Sequence, residues 1–370
     1  VPRSRTRAAA GLACAALLAA DAASTADSYL DVVRRYAAGE RAAAVAALDA
    51  WKPGELAREL AELREAALIA AQRGTQLPAN AMPPLRAVML LHTDREALER
   101  TPAPGAEHAP ACREQVHTAL AERIAGLLFA DPEGREFARR WYLAVALRDL
   151  GYTCFDDAEH WLEAGLRWFP KDAELLLALG TIDEATTALA SRDPAIGPLR
   201  GSQRAQVLES LHEKRFRLER AARRFEQALA SDPRLAEARL RLGRVRYRQG
   251  RRPEARELLR AVAEESGMPA LTYLARLFLG RVHEADGEPA EAAAEYEKAL
   301  ALEPQSQAAA VALSYVREQL GEPRAREPLL ASLAHAGRRA AFDPYWEYPI
   351  AHAVPRSESL LDALREEASR

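Results

Sequence analysis

The chain has 370 residues, 49% hydrophobic and 28% charged, with a net charge of −3. That is enough apolar sequence for a large core, and the near-balance of charge singles out neither nucleic acid nor a membrane surface as partner. Aromatics are only 6% and alternating runs of valine, isoleucine and threonine are absent, so an all-α chain of closely packed helices is expected rather than a sheet.

At the N-terminus Arg3, Arg5 and Arg7 precede a short apolar run, Ala8 to Ala20, and then Ala20-Asp21-Ala22. A basic start, an apolar core and a small-residue site predict a secretory signal peptide over 1–25. The run is shorter than the about 20 residues a bilayer span needs, so no membrane span is expected. Periplasmic or secreted localisation follows as an expectation. Export would permit a disulfide between Cys112 and Cys154, the alternative being two separate buried thiols.

Residues 26–135 read as a degenerate helical-repeat region. Gly39, Ala44 and Leu48 keep the spacing of Gly250, Ala255 and Leu259 further on. Pro53 ends that unit, and Glu55 to Gln72 is a charged amphipathic helix. Pro83-Pro84 opens a helix through Leu91, after which Thr93-x-x-Glu96 reads as a capping box for the next helix. Pro102, Pro104 and Gly105 mark an exposed loop suited to proteolytic nicking. His92, Asp94, His108, Cys112 and His117 are the chemistry-bearing side chains of this region. They carry the alternative function, a metal- or thiol-dependent enzyme. Zinc sites normally draw on a complete set with tightly spaced pairs, and the chain has no CxxC or HExxH. Neither a metal nor another cofactor is therefore expected.

From Glu136 the repeat spacing resumes and runs to 341. Ala158, Leu162 and Pro170 stand apart as Ala221, Phe225 and Pro233 do. Here Gly151 is the expected turn, Asp156 or Asp157 the expected cap, and Trp141, Trp161 and Trp168 expected core. Ala173 to Ala190 is a further first helix. An insertion at 191–203, rich in proline and glycine, precedes what reads as one long helix from Arg204 to Ser231.

The clearest repetition runs from Phe225 to Arg326. Leu242-Gly243 pairs with Leu279-Gly280, Gly250 with Gly287, Ala255 with Ala292, and Leu259 with Tyr296, all at one offset. Gly250, Gly287 and Gly321 fall where a first helix must stop, a position where glycine takes the left-handed conformation. Small residues let the paired helices approach, and Pro233 and Pro304 stop the second helices. One such hairpin cannot bury its apolar face alone, so neighbours must stack. In 342–370, Phe342, Tyr345, Trp346 and Tyr348 crowd together before a short helix that Ser357 should cap and that bears Leu360, Leu361 and Leu364. This tail is read as closing the end of the stack, with an aromatic contact patch as the other reading.

From Ala221 to Gly321 these positions resemble the tetratricopeptide repeat, with Arg239 and Arg276 departing where the family usually carries an aromatic. The resemblance implies a right-handed α-solenoid of antiparallel helix hairpins whose first helices line a concave groove. It assigns to that groove Arg244, Tyr247 and Arg248, then Leu277, Arg281 and Glu284, then Val311, Tyr315 and Glu318. Further upstream it places Glu174, Leu177, Thr181 and Glu184. Arg244, Arg248 and Arg281 pointing inward together would suit an acidic or carboxylate-bearing segment. The expected function is a non-enzymatic scaffold that binds a partner protein or peptide. Nucleic acid is not expected, because aromatics are not interleaved with the basic residues as stacking platforms. The whole combination resembles exported repeat proteins of GC-rich bacteria.

Overall fold

In the computed structural model the described residues are 28–48, 50–52, 54–61, 82–100, 116–129, 132–189, 201–336, 343–348, 350 and 353–369. The signal peptide, the Pro102–Gly105 loop, His108, Cys112, Phe342 and the heart of the insertion lie outside them. Among the described residues the only regular structure is helix. The chain divides into two compact units, Val1–Trp141 with Glu358–Arg370, and Tyr142–Ser357. No helix of the described residues is long and apolar enough to cross a membrane.

The first unit holds α1 (Tyr29–Ala37), α2 (Arg41–Leu48), a helical stretch at 54–61, α3 (Met82–Arg100) and α4 (Val116–Leu128). The first half of α5 (Pro132–Gly151) and the end of the last helix, Ala353–Ala368, also belong to it. A capping box at Ser28 and Asp31 starts α1, and Gly39 at φ +92° turns the chain into α2. Helix α3 runs without a break through Thr93 and Glu96, so those residues do not open a new helix. The Thr93 hydroxyl instead donates to the Met89 carbonyl one turn back, at 2.8 Å.

The second unit is a succession of hairpins. Helices α6 (Phe155–Trp168) and α7 (Ala173–Leu189) precede the long α8 (Gly201–Ser231). Then come α9 (Ala236–Arg248) with α10 (Arg252–Glu265), α11 (Pro269–Ala285) with α12 (Pro289–Leu302), and α13 (Gln307–Gln319) with α14 (Glu327–Ala336). The short α15 (Pro344–Glu347) and the start of α16 (Ala353–Ala368) complete it. As expected, α8 is one continuous helix.

Gly250, Gly287 and Gly321 take φ of +78°, +76° and +70° between the members of each pair, conformations a side chain at Cβ would disfavour. Gly280 serves a different need. A Cβ there would overlap the Tyr296 ring, so glycine sets how closely α11 and α12 approach. Leu240, Leu259, Val262, Tyr273, Phe278 and Tyr296 lie in one core spanning these helices.

Four local expectations need correction. Gly151 ends α5 in helical conformation, and Thr153 at φ +63° makes the turn; a Cβ on Gly151 would overlap the Val354 side chain. Helix α6 starts at Phe155, so Asp156 and Asp157 fall in its first turn, where they favour the helix dipole rather than cap it. Trp141 and Trp161 are buried, but Trp168, the last residue of α6, is half exposed. Helix α16 begins before Ser357, whose hydroxyl donates to the Ala144 carbonyl at 2.7 Å.

Candidate functional site

The centre of the second unit's inner polar network is Glu184, a fully buried carboxylate near the end of α7. It accepts from Arg241 at 3.1 Å and Arg244 at 3.2 Å, both on α9. The Tyr348 hydroxyl, from the aromatic tail, donates to its two oxygens at 2.9 and 3.1 Å. The Tyr348 ring lies under both guanidiniums, 4.8 Å from Arg241 and 4.4 Å from Arg244, and edge-on to Phe278 of α11 at 5.3 Å. Burial alone would lower the pKa of Arg241; Glu237, Tyr348 and Glu184 more than offset it, so the group is held above its ordinary value.

Asp343 anchors the tail. It accepts from the Tyr273 hydroxyl at 2.8 Å, from the Ser306 hydroxyl at 3.0 Å and from the Ala308 N–H at 2.9 Å, the last in the first turn of α13. The tail therefore lies against first helices of successive hairpins, on the face assigned to a partner, and Tyr345 and Tyr348 do not merely cover an end.

The expected groove residues part company here. Arg244 is spent on Glu184 and on the Phe278 and Tyr348 rings. Arg248 donates to the Thr187 hydroxyl at 2.7 Å and the Glu184 carbonyl at 3.4 Å. Leu277 is a correction: like Leu240 one repeat earlier, it turns into the interhelical core and is fully buried, because a large apolar side chain gains more there than on an open face. Tyr247 is partly buried against the same core. Leu177, Thr181 and Glu184 are buried as well.

Arg281, Glu284 and Tyr315 do come together. With Ala308, Val311 and Tyr345 they line a cavity of about 470 Å³. Val311 is 52% and Tyr315 54% exposed, so the cavity has an open apolar wall. Arg281 lies 5.4 Å from the Tyr345 ring, and among the described residues it has no ion pair; its Nε is buried without a hydrogen-bond partner. Glu284 accepts from the Tyr296 hydroxyl. The repeat resemblance assigned these residues to one face, but the contribution of Tyr345 carries no local signal, since the tail joins the site from outside the repeats.

Comparison with known proteins bears on the same stretch. Residues 214–277, covering α9, α10 and the adjoining halves of α8 and α11, match the tetratricopeptide repeat family. That stretch carries the tetratricopeptide repeat. No curated protein matches it. Among solved structures, MamA is similar at 19% identity, covering 54% of this chain and 95% of its own, with a TM-score of 0.39. The pilF protein of Pseudomonas aeruginosa is similar at 20% identity over 64% of this chain and 89% of its own, TM-score 0.45. A thermophilic tetratricopeptide repeat protein of Thermus thermophilus is similar at 20% identity over 55% and 91%, TM-score 0.37.

The candidate enzyme residues lie outside the matched repeats, in the first unit. His92 is fully buried; its Nε2 meets the Tyr29 hydroxyl at 3.0 Å and its Nδ1 meets His117 Nδ1 at 3.2 Å. Burial, then the neighbouring His117, pushes its pKa down to about 3, so it is neutral. Asp94 accepts from the Tyr36 hydroxyl and from Arg365. Glu96 accepts from the Thr118 N–H at 2.7 Å and from its hydroxyl, capping the first turn of α4. The Trp141 indole donates to Thr93 at 2.9 Å. Each of these polar atoms is turned to another side chain of the unit. Among the described residues no group of three side chains is arranged to hold a metal ion. Cys154 is disulfide-bonded; its expected partner, Cys112, lies outside the described residues.

Proposed function

We propose that the protein is a non-enzymatic scaffold that binds a partner protein or peptide on the inner face of its tetratricopeptide repeats, and that it works in the cell envelope. The observation that carries the reading is the Arg281 cavity. An arginine with no ion pair among the described residues stands beside exposed Val311 and Tyr315, so the site offers charge and apolar area together. Ligand clefts combine these features, with apolar walls for affinity and a few polar groups for orientation. Arg244 is held by the chain's own Glu184 and Tyr348, and Arg248 is turned towards Thr187 and the Glu184 carbonyl, so Arg281 is the cation of this cavity. An extended segment bearing a carboxylate beside an aromatic or aliphatic side chain fits that arrangement. The disulfide at Cys154 and the basic, apolar N-terminus support an exported protein.

Co-purification from producing cells tests the reading. The double variant Arg281→Glu/Tyr315→Ala should lose the partners that the parent retains, with thermal unfolding unchanged. Partners retained by the folded variant would refute binding at this cavity, and a protein confined to the cytoplasm by fractionation would refute the location.

A further inference from the structure

A second cleft, of about 790 Å³, lies between the 212–219 part of α8 and the turn from α9 to α10. Of its described lining residues, Lys214, Arg215, Arg248 and Arg251 are cationic and Glu219 carries a carboxylate. Glu219 already accepts from Gln249 at 2.9 Å. Arg251 is paired with Glu254 at 3.0 Å. Among the described residues Lys214 and Arg215 have no ion-pair partner, and neither does Arg248.

Arg248 is the informative one. Three arginines of α9 line up along this side: Arg241, Arg244 and Arg248. Glu237 and Glu184 hold Arg241, and Glu184 also holds Arg244 and the Tyr348 hydroxyl. Arg248 is left with a hydroxyl and a backbone carbonyl, and is half-buried without a carboxylate within ion-pair distance among the described residues. Burial, followed by repulsion from Arg244, lowers its pKa below the usual arginine value. A cation kept out of water and beside another cation is stabilised by an anion brought from outside.

Phe216, 53% exposed, lies in the same lining. Arg220 lies over the ring at 5.9 Å and the rest of it is open; cations beside a half-exposed aromatic ring match a chain that alternates carboxylates with apolar side chains better than they match a bare anion. We propose that this cleft binds an acidic peptide segment, with carboxylates on Arg248, Lys214 and Arg215 and an apolar side chain over Phe216. The site is separate from the Arg281 cavity and does not depend on that cavity being occupied.

Fluorescence anisotropy with a labelled hexapeptide of alternating glutamate and leucine tests this on the full chain. The parent should bind it, and binding should weaken as salt is raised. Lys214→Glu/Arg215→Glu should raise Kd at least about tenfold without moving the thermal transition, because neither side chain is ion-paired. Arg248→Gln, which keeps a donor for Thr187, should weaken binding in the same direction. Because the Arg281 cavity is a separate site, Lys214→Glu/Arg215→Glu should weaken binding by the same factor when it is made in an Arg281→Glu background. Four results would overturn the proposal. They are equal binding of a lysine–leucine peptide, undiminished binding by the double variant, no weakening by the same two substitutions in an Arg281→Glu background, and binding of inorganic phosphate or a single-stranded oligonucleotide in place of the peptide.

Discussion

The two units make their interiors specific by different means. In the second unit, small residues at repeat positions fix how closely helices approach, as Gly280 does beneath Tyr296, and the buried carboxylate of Glu184 joins Arg241 and Arg244 of α9 to Tyr348 of the tail. In the first, the specificity comes from separate buried polar pairs: Tyr29 with His92, His92 with His117, Glu96 with Thr118, and Trp141 with Thr93. Backbone spacing is thus written into one unit by glycine and alanine, whereas the other depends on hydrogen bonds that must all be satisfied together.

The sharpest way to break this contrast is to remove the second unit's central carboxylate. Glu184→Ala leaves Arg244 and the Tyr348 hydroxyl buried without their carboxylate and Arg241 with Glu237 alone, and should cost about 3–5 kcal/mol in urea unfolding. A loss below about 1 kcal/mol, the size of a surface pair, would remove Glu184 from the account.

Next in size is a matched pair of glycine substitutions. Gly280→Ala forces a methyl into the Tyr296 ring and should cost about 1–3 kcal/mol. At Gly126, within α4 of the first unit, an added Cβ would meet nothing within 4 Å. There Gly126→Ala should stabilise by roughly 0.5–1 kcal/mol through helix propensity. Equal effects at the two sites would mean that glycine does not distinguish the units.

Acidification acts on the first unit. His92 has a folded pKa of about 3 against an ordinary 6.5. Below 6.5 the unfolded chain takes up a proton that the folded chain refuses. The contribution of His92 is therefore complete above pH 6.5 and falls as pH drops towards 3, by up to about 1.4 kcal/mol per pH unit. Thermal melts between pH 7 and 5 should show this slope, and His92→Gln should flatten it. An unchanged slope would show that the buried imidazole does not govern the unit's acid sensitivity.

The smallest effect is expected at the open cavity. Tyr315→Ala should change stability by no more than about 0.5 kcal/mol, since more than half of the ring is already in water. A larger loss in chemical unfolding would make Tyr315 part of the core and not of a binding site.

What the sequence made legible follows the same division. The hairpins from Phe225 onward could be read because Leu-Gly, Gly, Ala and Pro recur at fixed spacing and each carries a local steric requirement. The long α8 was legible because no glycine or proline interrupts its latter part. Thr93 and Glu96 misled because a capping pair and an interior pair have the same spacing, and only distant Trp141 and Thr118 decide between them. Leu277 misled because carrying positions from repeat to repeat assigns a face without asking whether a large aliphatic side chain belongs in the core. The tail's seat on Glu184 was not legible at all. It depends on Tyr348 meeting a residue in another hairpin, for which no local pattern exists.

Site-specific photo-crosslinking tests the central claim most directly. A benzoylphenylalanine placed at Tyr315, and a control at exposed Leu302 of α12, would be activated in cells producing the full chain. The account predicts a discrete adduct with a second protein from position 315, absent from position 302 and lost when Arg281→Glu is added. The same adducts from both positions, or an adduct from 315 that survives Arg281→Glu, would contradict it.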